Sequence, residues 1–172
     1  FYSYLFLFSL FYSIQIHSNN PQIGFIENKG QIHDQYAKFN SEVKFLYNSP
    51  GLNVQLKSNG FSYDCYSVKS KAREIPNISS LKKITAEEKI FDFQRIDIEF
   101  IGANLNPLII KERPLGSYQN FYLNGLSINN VGSYEKVKYI CFYPNIDLEF
   151  LVSDGKIKYN FIYRRPRKRR PL

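Results

Sequence analysis

Methionine is absent from all 172 residues, position 1 included, and so is tryptophan. Because reading frames begin with Met, the sequence is expected to be a fragment lacking its true start. Cysteine is nearly as scarce. Cys65 and Cys141 stand alone, with no CxxC pair and no Cys/His spacing, which leaves a structural zinc site without ligands. A bridge between them would close a long loop and add about 3–4 kcal/mol. The sequence leaves that pairing open, and two independent buried thiols are the preferred reading, since Cys behaves as a small hydrophobe.

Histidine occurs only as His17 and His33. A nucleophile, histidine and carboxylate arrangement would have to rest on His33 beside Asp34, and no GxSxG elbow accompanies them. His33 is read as a surface-loop residue. The glycines of "GLNVQLKSNG" lack the spacing and the lysine of a phosphate-binding loop. No catalytic, cofactor-binding or metal-ligating residue is assigned, and no cofactor is expected.

Acidic charge is outnumbered, 15 residues against 23 basic ones. The excess is local: Arg164, Arg165, Arg167, Lys168, Arg169 and Arg170 fall in the last nine positions, and without them the net charge of +8 drops to +2. Such an arm is able to bind a polyanion. Beside a near-neutral body, it is read instead as a non-native end spanning 164–172, and nucleic acid is not an expected partner.

Long apolar runs are absent but for one. Phe1 to Ile14 carries no charge and then gives way to polar residues. Its length suits the apolar region of a secretory signal peptide and falls short of the roughly 20 residues that span a bilayer. Residues 1–18 are therefore read as signal-peptide-like, with Ser18 and Ile16 at the cleavage site, and no stable membrane span is expected.

What is abundant is aromatic: 14 Tyr and 15 Phe in a chain that is 44% hydrophobic. Aromatic rings pack well on a pleated surface, which favours strands. Residues 19–163 are long enough for one domain. Val43 to Tyr47 reads as a strand closed by the Pro50-Gly51 turn. Leu52, Val54 and Leu56 alternate, "SNG" turns the chain, and Phe61, Tyr63 and Cys65 alternate back as a hairpin. From Lys69 to Lys89 the sequence is polar and charge-mixed, a surface excursion with a short helix expected over Ser80 to Lys89. Ile96, Ile98 and Phe100 then oppose Arg95, Asp97 and Glu99. "PLIIKERP" is a short strand, "GSYQNFYLNG" ends in the turn pair Asn124-Gly125, and another strand surrounds Val137 to Phe142. The clearest hairpin runs from Ile146 to Tyr163 about Asp154-Gly155. "RIDIEFIGAN" and "NIDLEFLVSDG" are near copies, too few to establish a repeat architecture.

The doublets Asp97/Glu99 and Asp147/Glu149 are the most enzyme-like feature. Residues two apart on a strand share a face, so each doublet sets two carboxylates close together, as glycoside hydrolysis or a calcium site requires. The same alternation arises on any half-buried antiparallel strand with its charged side in water, and that solvated face is the preferred reading. Tyrosines in "SYQNFYLNG" and "GFSYDCY" are candidates for stacking on sugar rings.

Three stretches together, "GFIENKGQIHDQ" (24–35), "VKFLYNSPGLNVQLKSNGFSYD" (43–64) and "YPNIDLEFLVSDGKIKYNFI" (143–162), resemble the N-terminal domain of large secreted proteins, chiefly of the Bacteroidetes group. "RIDIEFIGAN", "YQNFYLNG" and "YEKVKY" agree. In that family the domain precedes SBBP β-propeller repeats, immunoglobulin-like or PKD modules and a C-terminal type IX sorting or gliding-motility tail. The resemblance implies an extracellular β-rich domain of unknown role and supplies no catalytic residue.

The expectation is an all-β domain, an antiparallel sandwich with a helix or loop excursion near 70–90, itself incomplete. It is exported to the cell surface or medium and acts as a non-catalytic structural, adhesive or binding module. Its partners would be a glycan or cell-surface protein and the downstream domains of the same polypeptide. The rivals are a carbohydrate-active enzyme using Asp97, Glu99, Asp147 and Glu149, and polyanion binding through the basic tail.

Overall fold

The computed structural model describes residues 23–34, 36, 38–75, 84–123 and 125–165, with the side chains in 72–75, 84–88 and at 123 excluded. The segment expected to be a signal peptide and the tail beyond Arg165 lie outside these residues. Nine strands are formed among the described residues: β1 (Phe25–Glu27), β2 (Phe45–Ser49), β3 (Leu52–Leu56), β4 (Gly60–Ile75), β5 (Ile84–Glu99), β6 (Leu108–Leu123), β7 (Leu126–Tyr143), β8 (Ile146–Ser153) and β9 (Lys156–Tyr163). All pairings are antiparallel. No helix occurs among the described residues, so none there is long and apolar enough to cross a membrane.

The expected β-rich class holds, but the strands form a single sheet curled into a half-barrel, in the order β5-β4-β3-β2-β1-β7-β8-β9 with β6 also on β7. The reason lies in β7. Tyr134 pairs with Pro114 of β6 and Phe25 of β1, whereas Lys136 pairs with Glu112 of β6 and Leu151 of β8. One edge of β7 thus serves β6, and the other is shared by β1 and then β8. Two wings leave that shared edge and fold toward each other, where a sandwich would need two separate sheets.

Between the wings lies the core. Phe150 of β8 meets Phe25 and Phe61 at ring separations of 6.5 and 5.4 Å, and Phe61 meets Tyr159 of β9 at 5.4 Å. Tyr47, Val54, Leu56, Val137, Tyr139, Phe142 and Leu148 complete it. Each large side chain so buried contributes about 1.5–3 kcal/mol. The Tyr47 hydroxyl donates to the Gly155 carbonyl at 2.7 Å, pinning the tip of the β8-β9 hairpin to β2.

The short helix expected over Ser80 to Lys89 is corrected. Residues 80–83 are outside the described set, and 84–89 belong to β5, paired with 70–75 of β4. The polar excursion is a continuation of the β4-β5 ribbon beyond the end of β3, where residues 67–71 and 89–92 are exposed. Polar composition at such a place reports exposure and not the absence of a strand. Asn124 of the expected turn lies outside the described residues, while Leu108–Pro114 of "PLIIKERP" and Ser117–Leu123 of "SYQNFYLNG" likewise belong to one strand, β6. Its period is broken by register shifts between Pro114 and Tyr118, with Arg113 at φ 55° and Gly116 at φ 71°. Cys65 and Cys141 are free and exposed, where two buried thiols were expected.

Candidate functional site

The carboxylate doublets lie on the outer face of the sheet, at opposite wings; Asp97 and Glu99 are exposed, as expected, whereas Asp147 and Glu149 are not. Asp147 is 0% exposed and Glu149 8%. Their burial comes from cations on neighbouring strands. Lys136 of β7 places its Nζ 2.6 Å from Glu149 and 3.3 Å from Glu112 of β6. Lys138 lies 3.7 Å from Asp147, and Arg164, just past β9, places its Nε 2.6 Å from the same oxygen. The bond to Glu149 raises the pKa of Lys136 above its ordinary value. The solvated-face reading of Asp147 and Glu149 is therefore corrected: both are built into a ladder of alternating charge.

Asp147 has a second task. The β7-β8 register shifts between Tyr139 and Tyr143, with Cys141 at φ 52°. A bulge leaves an amide without its ladder partner, and the Cys141 N–H donates to Asp147 Oδ1 at 2.8 Å.

On the other wing, Asp97 of β5 is exposed yet engaged. The Ser62 hydroxyl donates to its Oδ1, and Lys57 lies 3.1 Å from it. Those contacts, the Ser62 bond foremost, hold the Asp97 carboxyl below the usual range. Glu99 accepts from the Asn59 amide at 3.0 Å. At the centre sits Asp64 of β4, a buried carboxylate that sequence reasoning missed. Arg95 Nε lies 3.2 Å from Asp64 and 3.7 Å from Asp97, while the Gln55 amide donates to Asp64 at 2.9 Å. Burial raises the pKa of Asp64, and Arg95 pulls it partly back. The available signal was modest: Gln55, Asp64 and Arg95 occupy the polar positions of three adjacent alternating strands.

His33 and Asp34 each bond to nearby backbone groups. Asp34 Oδ1 accepts the Tyr36 and Lys38 amides, both at 2.9 Å, and so shapes its own loop, while the His33 Nδ1 lies 3.2 Å from the Gln31 carbonyl. Nearby, Asn28 donates to the carbonyls of Asn40 and Val43 and accepts the Gly30 amide, fixing the "ENKGQ" loop from inside. Of the candidate tyrosines, Tyr118 and Tyr122 are strongly exposed on β6, while Tyr63 and Tyr66 are half-buried and Phe61 of the same stretch is buried. Among the described residues no group of three or more His, Cys, Asp or Glu is placed to hold a metal ion.

Fold and surface together define an all-β half-barrel domain whose outer faces are laced by interstrand ion pairs. The chain belongs to the DUF7948 family, a domain of unknown function, whose model matches residues 25–168. That match takes in all nine strands and Arg164. No curated protein and no solved structure matches it.

Proposed function

We propose that this domain is a non-catalytic structural, adhesive or binding module at the N-terminal end of an exported protein, of the large secreted kind with SBBP repeats and a sorting tail. One observation carries the reading: the strand carboxylates, the most enzyme-like residues in the sequence, are spent on protein contacts. Asp147 serves the Cys141 amide and Arg164, Glu149 serves Lys136, and Asp97 serves Ser62, Lys57 and Arg95. The apolar segment before residue 18 supports export. The exposed Tyr118 and Tyr122 suit contact with a glycan or a cell-surface protein.

Expression of the full-length protein in its native cell, followed by fractionation and binding to glycans and cell surfaces, tests this. Surface or medium localisation with binding that weakens in Tyr118→Ala and Tyr122→Ala is expected. A cytoplasmic protein overturns it.

A second reading, a carbohydrate-active domain, is favoured by Asp64 and Asp97, which share Arg95 while their pKa values are pushed in opposite directions. Glycoside hydrolysis by the wild-type chain, lost in both Asp64→Asn and Asp97→Asn, would replace the first reading.

A further inference from the structure

We infer that the edge of β9 that no described strand covers docks one extended strand of a partner polypeptide in which carboxylates alternate with apolar or aromatic side chains. The inference rests on the binding-module reading and gives that module a partner chemistry. Three properties of Lys156–Tyr163 converge on it.

The backbone comes first. β9 ends the sheet, with β8 as its only strand neighbour among the described residues. The Arg164 amide donates to the Asn145 carbonyl at 2.7 Å, and Ser153 pairs with Lys156 across the turn. Hydrogen-bonded pairs alternate along an antiparallel ladder, so the amides and carbonyls of residues 157, 159, 161 and 163 point away from β8. Such a row is a template for strand addition.

The inner face selects apolar side chains. Tyr159 and Phe161 reach the core, with Phe161 5.5 Å from the Phe100 ring and Tyr159 6.2 Å from that of Phe150. Yet Tyr159, Phe161 and Tyr163 remain 43%, 48% and 65% exposed. They extend the core to a side that no other described strand covers.

Charge is selected by the outer face. Glu112 on β6, Lys136 and Lys138 on β7, and Asp147 and Glu149 on β8 alternate in sign from strand to strand, and each carboxylate named is within 4 Å of a cation on its neighbour. On β9 the residues opposite Asp147 and Glu149 are Ile162 and Asn160, and the cations of that face, Lys156 and Lys158, stand opposite Ser153 and Leu151, with no carboxylate partner among the described residues. A strand added beyond β9 meets these two lysines, and acidic side chains on its outer face would pair with them. β8 carries the alternation of acid and apolar side chains itself, Asp147 and Glu149 outside and Leu148 and Phe150 inside, though its acids face Ile162 and Asn160 of β9.

The probe is therefore a fluorescent synthetic peptide of the β8 sequence, Asn145 to Ser153, titrated into the full chain by anisotropy. Saturable binding is expected, with protection of the amides of 157, 159, 161 and 163 from hydrogen exchange. Lys156→Glu with Lys158→Glu, at exposed positions outside the core, should weaken it about tenfold or more, as should Asn and Gln in place of the peptide's acids. Methylating alternate peptide amides should abolish it. Absence of binding, or binding indifferent to these changes, overturns the inference. So does sedimentation showing that the chain alone associates through this edge, for the occupant is then a second copy. A domain that fails here but binds glycans or cells loses only this edge proposal and keeps the module reading.

Discussion

Arg164 places its Nε 2.6 Å from Oδ2 of Asp147, and the other oxygen of that carboxylate accepts the amide of Cys141 at 2.8 Å. A single buried acid thus joins the β7 bulge, the β8 strand and the residue that leaves β9. Removing it strands two donors at once. Asp147→Ala is expected to cost about 3 kcal/mol, the range for breaking a buried pair. Asp147→Asn keeps an acceptor for the bulge amide and loses only the charge, so it should cost less. Arg164→Ala should cost less again, because that side chain is partly exposed. Urea denaturation of the three variants checks the order, and equal losses for Ala and Asn would show that the bulge amide gains nothing from Asp147.

Asp97 and Asp64 should respond to acid in opposite senses. The Ser62 hydroxyl holds Asp97 below its ordinary value of 3.8, so its contribution is present above that value and is lost as pH falls through the lowered one. Being exposed, it is worth about 0.5–1 kcal/mol at most. Asp64 is raised by burial, so its ionised form costs stability near neutrality, and that cost fades as pH falls through the raised value towards 3.8. The stability gap between wild type and Asp97→Asn should therefore close in acid. For Asp64→Asn the wild type should instead gain on the variant as pH falls from neutrality. Denaturation midpoints at several pH values, with parallel curves for the two variants, would contradict this assignment.

Where local chemistry decided the structure, the sequence was readable. Pro50-Gly51 and Asp154-Gly155 make their turns at the expected positions, with Gly51 at φ 80° and Asp154 and Gly155 at 52° and 68°. The period-two runs beside them became β3, β4, β8 and β9. Legibility failed where a distant partner decided. Thr85 to Lys89 reads as helix or loop in isolation and is a strand because β4 lies alongside it. The long β6 was divided in two because its bulges near Pro114 and Gly116 interrupt the alternation. Asp147 and Glu149 read as solvated because nothing in "NIDLEF" announces that Lys136, Lys138 and Arg164 flank them. The same limit hid Asp64, whose burial depends on Gln55 and Arg95 from two other strands.

Gly60 opens β4 at a point where no side chain fits. A Cβ there would collide with the backbone carbonyl of Ile98 and lie 3.2 Å from the Glu99 Cα. Backbone cannot step aside as a flexible side chain does, so Gly60→Ala must push β5 away from the Gly60-Glu99 pair. A loss of about 1–3 kcal/mol is expected, as for overpacking elsewhere. Gly155→Ala, in open space, should suffer only from its positive φ. Thermal unfolding of the two side by side separates collision from backbone strain, and a harmless Gly60→Ala would show that β5 yields freely at this point.

Tyr139 carries the one hydroxyl of the core that lacks a partner among the described residues, in a side chain with no exposed surface. Its ring packs against Phe142 and Phe150 at 6.0 and 5.8 Å, contacts that phenylalanine would keep. An unsatisfied buried polar group costs about 1–3 kcal/mol, so Tyr139→Phe should stabilise the domain by about 1 kcal/mol. Tyr47→Phe is the matched control: it gives up the bond to the Gly155 carbonyl and should lose about 1 kcal/mol. Alkali adds an independent readout. Burial raises the Tyr139 phenol far above its ordinary value of 10.0, so the folded state holds its proton while the unfolded chain releases it. Stability then falls as pH rises past 10, and Tyr139→Phe should fall less steeply. Destabilisation by Tyr139→Phe, or an unchanged alkaline slope, would mean that the hydroxyl is bonded in solution.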